Sequence, residues 1–114
     1  IDAAVAAAKD RWPGRTVHVE CDGLDQVRRA LDAGADALLL DNMTPDEVRK
    51  AVAVADAHAA THGTARALLE ISGTIRLDNV GDYADTGADV VSSGSLTHSV
   101  TVLDIGLDID VKRG

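Results

Sequence analysis

Asp41 and Asn42 close an apolar run, Leu38-Leu39-Leu40, and a helix start, Thr44-Pro45-Asp46-Glu47, follows at once. An aliphatic strand ending in a carboxylate is how parallel α/β proteins present acid at one end of a sheet. Glu20, behind Val17-His18-Val19, offers a second such carboxylate. Two further strand candidates end differently. Ala67-Leu68-Leu69-Glu70 runs into Ile71-Ser72-Gly73-Thr74, and Val90-Val91 runs into Ser92-Ser93-Gly94-Ser95. Small hydroxyl residues beside glycine, just ahead of a helix, let an anion approach backbone N–H groups. His98, on the first turn after the last of these loops, is in reach of a phosphate held there or is simply a helix residue. Taken singly, a strand-end carboxylate fits an N-cap equally well, and a Ser-Gly pair is ordinary turn chemistry. Strand tips of a parallel α/β unit share one face, so the four tips together carry the reading. Acids for hydroxyls or a divalent metal, with loops for a phosphate, point to a phosphorylated sugar.

These residues need a scaffold, and the hydrophobic periods supply one. Ile1, Ala4, Val5 and Ala8 fall at helical spacing, and Trp12-Pro13-Gly14 breaks that helix. Val17 to Cys21 is a short strand. Leu24, Val27, Ala30 and Leu31 form the stripe of a second helix, stopped by Gly34 at C′. The third helix opens on a capping box, with Thr44 as N-cap, Pro45 at N1 and Glu47 at N3, and its apolar face runs to Ala59. Thr61 to Thr64 reads as loop. Leu77, Val80, Tyr83 and Ala84 predict one further helix facing the core, ended by Gly87. Asp32-Ala33-Gly34-Ala35-Asp36 and Asp85-Thr86-Gly87-Ala88-Asp89 repeat the same helix-to-strand turn, as stacked units should. Beyond residue 100 the period becomes 2: Leu103, Ile105, Leu107, Ile109 and Val111 alternate with Asp104, Gly106, Asp108 and Asp110, predicting a tail strand with one wet face. The order αβαβαβαβ suits a (β/α) barrel or an open doubly wound sheet. A complete eightfold barrel takes about 200–250 residues, and 114 residues hold about half of one.

Composition narrows the class. Apolar residues make up 46% with aromatics at 2%, which favours alanine-rich helices on aliphatic strands over an all-β fold. A formal charge of −8 argues against nucleic acid or an anionic membrane as partner. The single cysteine, Cys21, forms no internal disulfide and fits a reducing, cytoplasmic setting. Its side chain points to the strand face opposite Glu20, where a small buried residue suits better than a nucleophile. His18, His58 and His62 read as structural or exposed, with no His/Cys spacing of a zinc site. The chain opens on Ile1 without a signal peptide or an initiator Met, and a segment of a longer chain is expected.

At the four tips the sequence resembles a family. Val19-Glu20-Cys21-Asp22, Leu39-Leu40-Asp41-Asn42-Met43, Leu69-Glu70-Ile71-Ser72-Gly73, Tyr83 to Asp89 and Ser93-Gly94-Ser95-Leu96-Thr97-His98-Ser99 occur in order. With Leu103 to Ile109 they resemble the C-terminal part of quinolinate phosphoribosyltransferase over nearly the whole chain. The resemblance implies a partial TIM-like barrel in residues 1–100, a tail strand leaving it over 101–114, and an N-terminal domain and first half-barrel carried elsewhere. It implies transfer of phosphoribose from PRPP to quinolinate, giving nicotinate mononucleotide, pyrophosphate and CO2 for NAD synthesis, with Mg2+ accompanying PRPP. Carried over by motif, Glu20 and Asp41 would be the catalytic acids, holding ribose hydroxyls directly or through Mg2+. Ser72, Gly73 and Thr74 with Ser93, Gly94, Ser95 and His98 would take the 5′-phosphate. A homodimer is implied as well. Thr74 stands where the family usually has a second glycine, and the stretch from Met43 to Glu70 is longer than expected. The family's Arg, Lys and His clamp for carboxylates and pyrophosphate has no counterpart here, so the chain alone is expected to be inactive. A nicotinate phosphoribosyltransferase, a pyrophosphorylase-like protein of molybdate operons, and a non-catalytic half-barrel that dimerises are the competing readings.

Overall fold

The computed structural model describes residues 1–99 and 102–109. Helix α1 (Asp2–Arg11) leads into β1 (His18–Cys21), α2 (Leu24–Asp32), β2 (Ala37–Asp41), α3 (Pro45–His62), β3 (Leu68–Ser72), a 3₁₀ turn (Val80–Tyr83), β4 (Val90–Val91) and α4 (Ser95–His98). The strands form one parallel sheet in the order β1-β2-β3-β4. Each strand pairs with the next in sequence. That order belongs to a segment of a (β/α) barrel, because a doubly wound sheet reverses direction at a switch point.

The alternation of each strand sorts its side chains between two faces. Val19, Cys21, Leu38, Leu40, Leu69 and Ile71 point toward α2 and α3 and build the core with Val27, Leu31, Val48 and Ala51. His18, Glu20, Leu39, Asp41, Leu68, Glu70 and Ser72 occupy the other face, which no helix of the described residues covers. The polar tip residues therefore stand on the concave side of a part-barrel.

Local chemistry explains the element ends. At the C-terminus of α2, Gly34 takes φ 84° and the Ala35 N–H bonds the Ala30 carbonyl, with Gly34 N–H on Leu31, a Schellman stop. The capping box of α3 is complete: the Thr44 hydroxyl accepts from the Glu47 N–H at 3.3 Å, and Glu47 Oε2 accepts from the Thr44 N–H at 2.8 Å. The repeated turn has a structural purpose. Asp36 accepts the Val17 N–H at 2.8 Å while its own N–H donates to the Val17 carbonyl. Asp89 does the same with Leu69 two strands further on, again at 2.8 Å. Each aspartate latches the start of its own strand to the preceding one.

Three expectations need correction. Helix α3 continues through Thr61 and His62, read as loop from sequence, because the Thr61 hydroxyl and His62 ring bond the carbonyls of Ala57 and His58 and Gly63 is the first left-handed residue. The helix expected over 77–84 is reduced to the 3₁₀ turn. There the Asn79 side chain accepts from the Arg76 N–H and donates to the Thr74 carbonyl, local bonds that compete with a helix. Val80 and Tyr83 still pack on the core, but Leu77 and Ala84 are exposed. The tail strand is absent over 102–109, where Leu103, Ile105, Leu107 and Ile109 are exposed; a strand needs a ladder partner, and this segment has none among the described residues. Val111 of that pattern lies outside the described residues.

Candidate active site at the strand tips

Period 2 carries the open face of β1 one step past its end. Glu20 and, beyond it, Asp22 point the same way as Asp41 of β2. One carboxylate oxygen from each of Glu20, Asp22 and Asp41 lies within 4.8 Å of the others. Such an oxygen-only set suits sugar hydroxyls or a hard divalent ion. Cys21, between the two β1 acids, faces the core fully buried, and burial with the neighbouring Asp22 and Glu20 charges pushes its thiol up to about 11.

Asn42 fixes the acid tip to the first serine loop. It sits at φ 53°, the one non-glycine residue in the left-handed region among the described residues. Its Nδ2 donates to Asp41 Oδ2 at 2.8 Å, its N–H donates to the Ser72 carbonyl at 3.1 Å, and its Oδ1 accepts from the Thr74 N–H at 3.2 Å. Gly73, at φ 110°, is forced by this packing: a Cβ there would lie 2.9 Å from the Asn42 backbone nitrogen.

The second loop closes against the first. The Ser93 hydroxyl donates to the Ile75 carbonyl at 2.5 Å, the Ser95 hydroxyl donates to the same oxygen at 3.3 Å, and the two hydroxyls stand 2.7 Å apart. The His98 ring folds back over Gly94, filling the space a side chain would need. Ser72 ends β3, half-buried, on the same face as Asp41, its partner in register. Glu20 and Asp41 thus meet in one group, and Ser72, Gly73, Thr74, Ser93, Gly94, Ser95 and His98 in the adjoining loops. Two side chains do not stand where a phosphate would want them, since the Ser93 and Ser95 hydroxyls are turned onto Ile75. Glu70 lies mid-strand, not at the tip as read from sequence, accepting a short hydrogen bond from the Ser92 hydroxyl with His18 Nε2 3.7 Å away. Sequence reasoning missed Asp22 and the part played by Asn42. The signal for Asp22 was available: it follows Glu20 by two, the strand period.

A sequentially ordered parallel sheet with acids and Ser-Gly loops along its strand tips is a segment of a (β/α) barrel, a fold whose sites are built at the C-terminal ends of the strands. The chain belongs to the quinolinate phosphoribosyl transferase family: the model described as "Quinolinate phosphoribosyl transferase, C-terminal domain" matches residues 1–108. It is 40% identical over 106 residues to the nicotinate-nucleotide pyrophosphorylase [carboxylating] of Mycobacterium leprae, covering 93% of this chain and 36% of that protein. A probable enzyme of the same name from Methanocaldococcus jannaschii is 38% identical over 95 residues, 83% of this chain and 33% of the relative. Among solved structures, the nicotinate-nucleotide pyrophosphorylase of Ehrlichia chaffeensis superposes with a TM-score of 0.77 at 34% identity, over 96% of this chain and 37% of that one. The chain spans about a third of the length of the curated relatives it matches.

Proposed function

We propose that this chain forms the ribose-phosphate half of an active site that transfers phosphoribose from PRPP to quinolinate, yielding nicotinate mononucleotide, pyrophosphate and CO2. One observation carries the reading: the Glu20–Asp22–Asp41 carboxylates lie beside two serine loops, the second of which bonds through Ser93 and Ser95 to the Ile75 carbonyl that follows the first, in a member of this family. Glycosyl transfer develops positive charge at the anomeric carbon, and carboxylates placed beside it stabilise that charge. Glu20 and Asp41 accept hydrogen bonds from the ribose hydroxyls, with Asn42 holding the Asp41 carboxylate in place. The backbone around Gly73 and Gly94, with His98 above the second loop, receives the 5′-phosphate.

Mg2+ arriving with PRPP fits the acid group, which offers only hard oxygen donors close enough to share an ion. Glu20, Asp22 and Asp41 would hold it, and it would supply positive charge against the phosphates. The acids provide nothing for the carboxylates of quinolinate or for pyrophosphate. Those anions need cations from segments beyond these residues, in keeping with relatives three times as long. No helix among the described residues is long and apolar enough to cross a membrane. A cytoplasmic homodimer completes the reading, supported by the family resemblance and the one buried thiol.

The test is Asp41→Asn in the full-length protein, assayed with PRPP, Mg2+ and quinolinate. We expect kcat/KM to fall about tenfold or more, because the group acts where charge develops. An unchanged value removes Asp41 from the site.

A further inference from the structure

Glu70 stands on the concave face between the acid tips and the second serine loop. Leu39 pairs with Glu20 on one side and with Glu70 on the other, so the two glutamates share one layer of that face, two strands apart. Beyond it, Glu70 pairs with Val90 of β4. Its side chain is only 18% exposed. Oε1 accepts a short hydrogen bond from the Ser92 hydroxyl, and Oε2 lies 3.7 Å from His18 Nε2 on β1. A carboxylate accepts only, and a hydroxyl bonded to one makes a charge-assisted bond, stronger than a neutral pair.

Ser92 opens the second loop, and that loop has little beneath it. Strand β4 is two residues long, with both side chains exposed. The Ser92 N–H extends the ladder to the Ile71 carbonyl at 2.8 Å. The Ser93 and Ser95 hydroxyls reach Ile75, which belongs to the first loop. Among the described residues, Glu70 is the side chain that bonds the second loop from the body of a strand. PRPP fixes the separation of its ribose hydroxyls and its 5′-phosphate covalently, so a site that holds both must fix the separation of acids and loop. A carboxylate aimed at the phosphate itself would repel it. Glu70 instead turns both oxygens onto protein groups.

We infer that Glu70 is a positioning residue: through Ser92 it holds the second serine loop at the distance from Glu20 and Asp41 that a phosphoribosyl group requires. The inference rests on the proposed seat of the 5′-phosphate in that loop. Glu70 acts on binding rather than on the chemical step. Without the tether the loop is ordered only when PRPP binds, which weakens affinity and leaves the bound complex little changed.

The experiment compares Glu70→Ala, Glu70→Gln and Ser92→Ala in the full-length protein, with circular dichroism verifying the fold. Glu70→Ala and Ser92→Ala should each raise the KM for PRPP about tenfold with kcat changed less than about threefold, and the double variant should be no worse than either, since both break one bond. Glu70→Gln keeps an acceptor for the Ser92 hydroxyl and should recover most of the loss. Amide hydrogen exchange reads the tether without turnover: Glu70→Ala should speed exchange over residues 92–95 about tenfold or more and leave Ser72 to Thr74 unchanged. Faster exchange in a protein that does not turn over PRPP would count against the phosphoribosyl reading and leave the tether standing. Unchanged exchange in Glu70→Ala, an unchanged KM for PRPP in an active protein, additive losses in the double variant, or a kcat loss shared by Glu70→Gln and Glu70→Ala would each overturn the inference.

Discussion

The second and fourth strands begin on the same turn and end up in different surroundings. Gly34 and Gly87 take φ 84° and 86°, and Asp36 and Asp89 make the same pair of bonds to the strand before them. Yet β2 runs for five residues with Leu38 and Leu40 fully buried, whereas β4 has two residues, Val90 and Val91, both more than 40% exposed. The difference lies in the helices. The 18-residue α3 crosses from β2 to β3 and covers the sheet, while β3 and β4 are joined by loops and one 3₁₀ turn. A turn motif sets where a strand starts and how it is registered; a covering helix sets how long and how deep it is. Core truncations measure that contrast most directly. Leu40→Ala should destabilise the protein by about 2–5 kcal/mol, as for a fully buried leucine. Val91→Ala should change stability by less than about 1 kcal/mol, since little area leaves water there. Urea unfolding followed by circular dichroism reads both values, and equal losses would break the comparison.

The two serine loops repeat the contrast on a smaller scale. Gly73 is constrained twice, by its φ of 110° and by the Asn42 backbone against it. Gly73→Ala should cost about 1–3 kcal/mol through backbone strain and part β2 from β3 at the tip. Gly94 has an ordinary φ of −69°, and only the movable His98 ring stands in the way of a side chain. Gly94→Ala should leave stability nearly unchanged while displacing His98, visible as a shift of its ring resonances. A Gly94→Ala loss as large as that of Gly73→Ala would mean the second loop is as rigid as the first.

Sequence legibility follows the same division. Where a helix and a strand bury each other, local signals agree: the Thr44–Glu47 capping box, the stripe of α2 and the Gly34 stop are all readable from residue types. That Glu20 and Asp41 share one face was legible because each closes an aliphatic strand of a parallel unit; Asp22, one residue past the end of β1, was named only within a motif and not placed with them. Residues 77–84 misled because their apolar spacing suits a helix, while the Asn79 side chain bonds offer the backbone something else. The tail misled because alternation predicts a strand only where a partner edge exists. Asn42 could not be read from sequence at all: its bonds reach Ser72 and Thr74, some 30 residues on, and depend on the completed sheet.

The smallest expected effect concerns the latch itself. Asp36 has its carboxyl held below the usual range, chiefly by the Val17 N–H and then by Lys9. A carboxyl whose folded pKa is depressed adds stability at pH values above its unfolded pKa of about 3.9, and that contribution is lost as pH falls through the lower folded value. The stabilisation is therefore present at neutral pH and disappears on strong acidification. The side chain is 43% exposed, so solvent screening keeps the contribution small. Asp36→Asn retains an acceptor for Val17 and removes the charge. At pH 7 it should cost less than about 1 kcal/mol, and below about pH 4 its difference from the parent should shrink toward zero. Denaturant midpoints measured on both proteins from pH 7 down to pH 3 test this. A constant gap across that range would show that the latch acts through its hydrogen bond alone, and that the charge on the repeated aspartate adds nothing to strand registration.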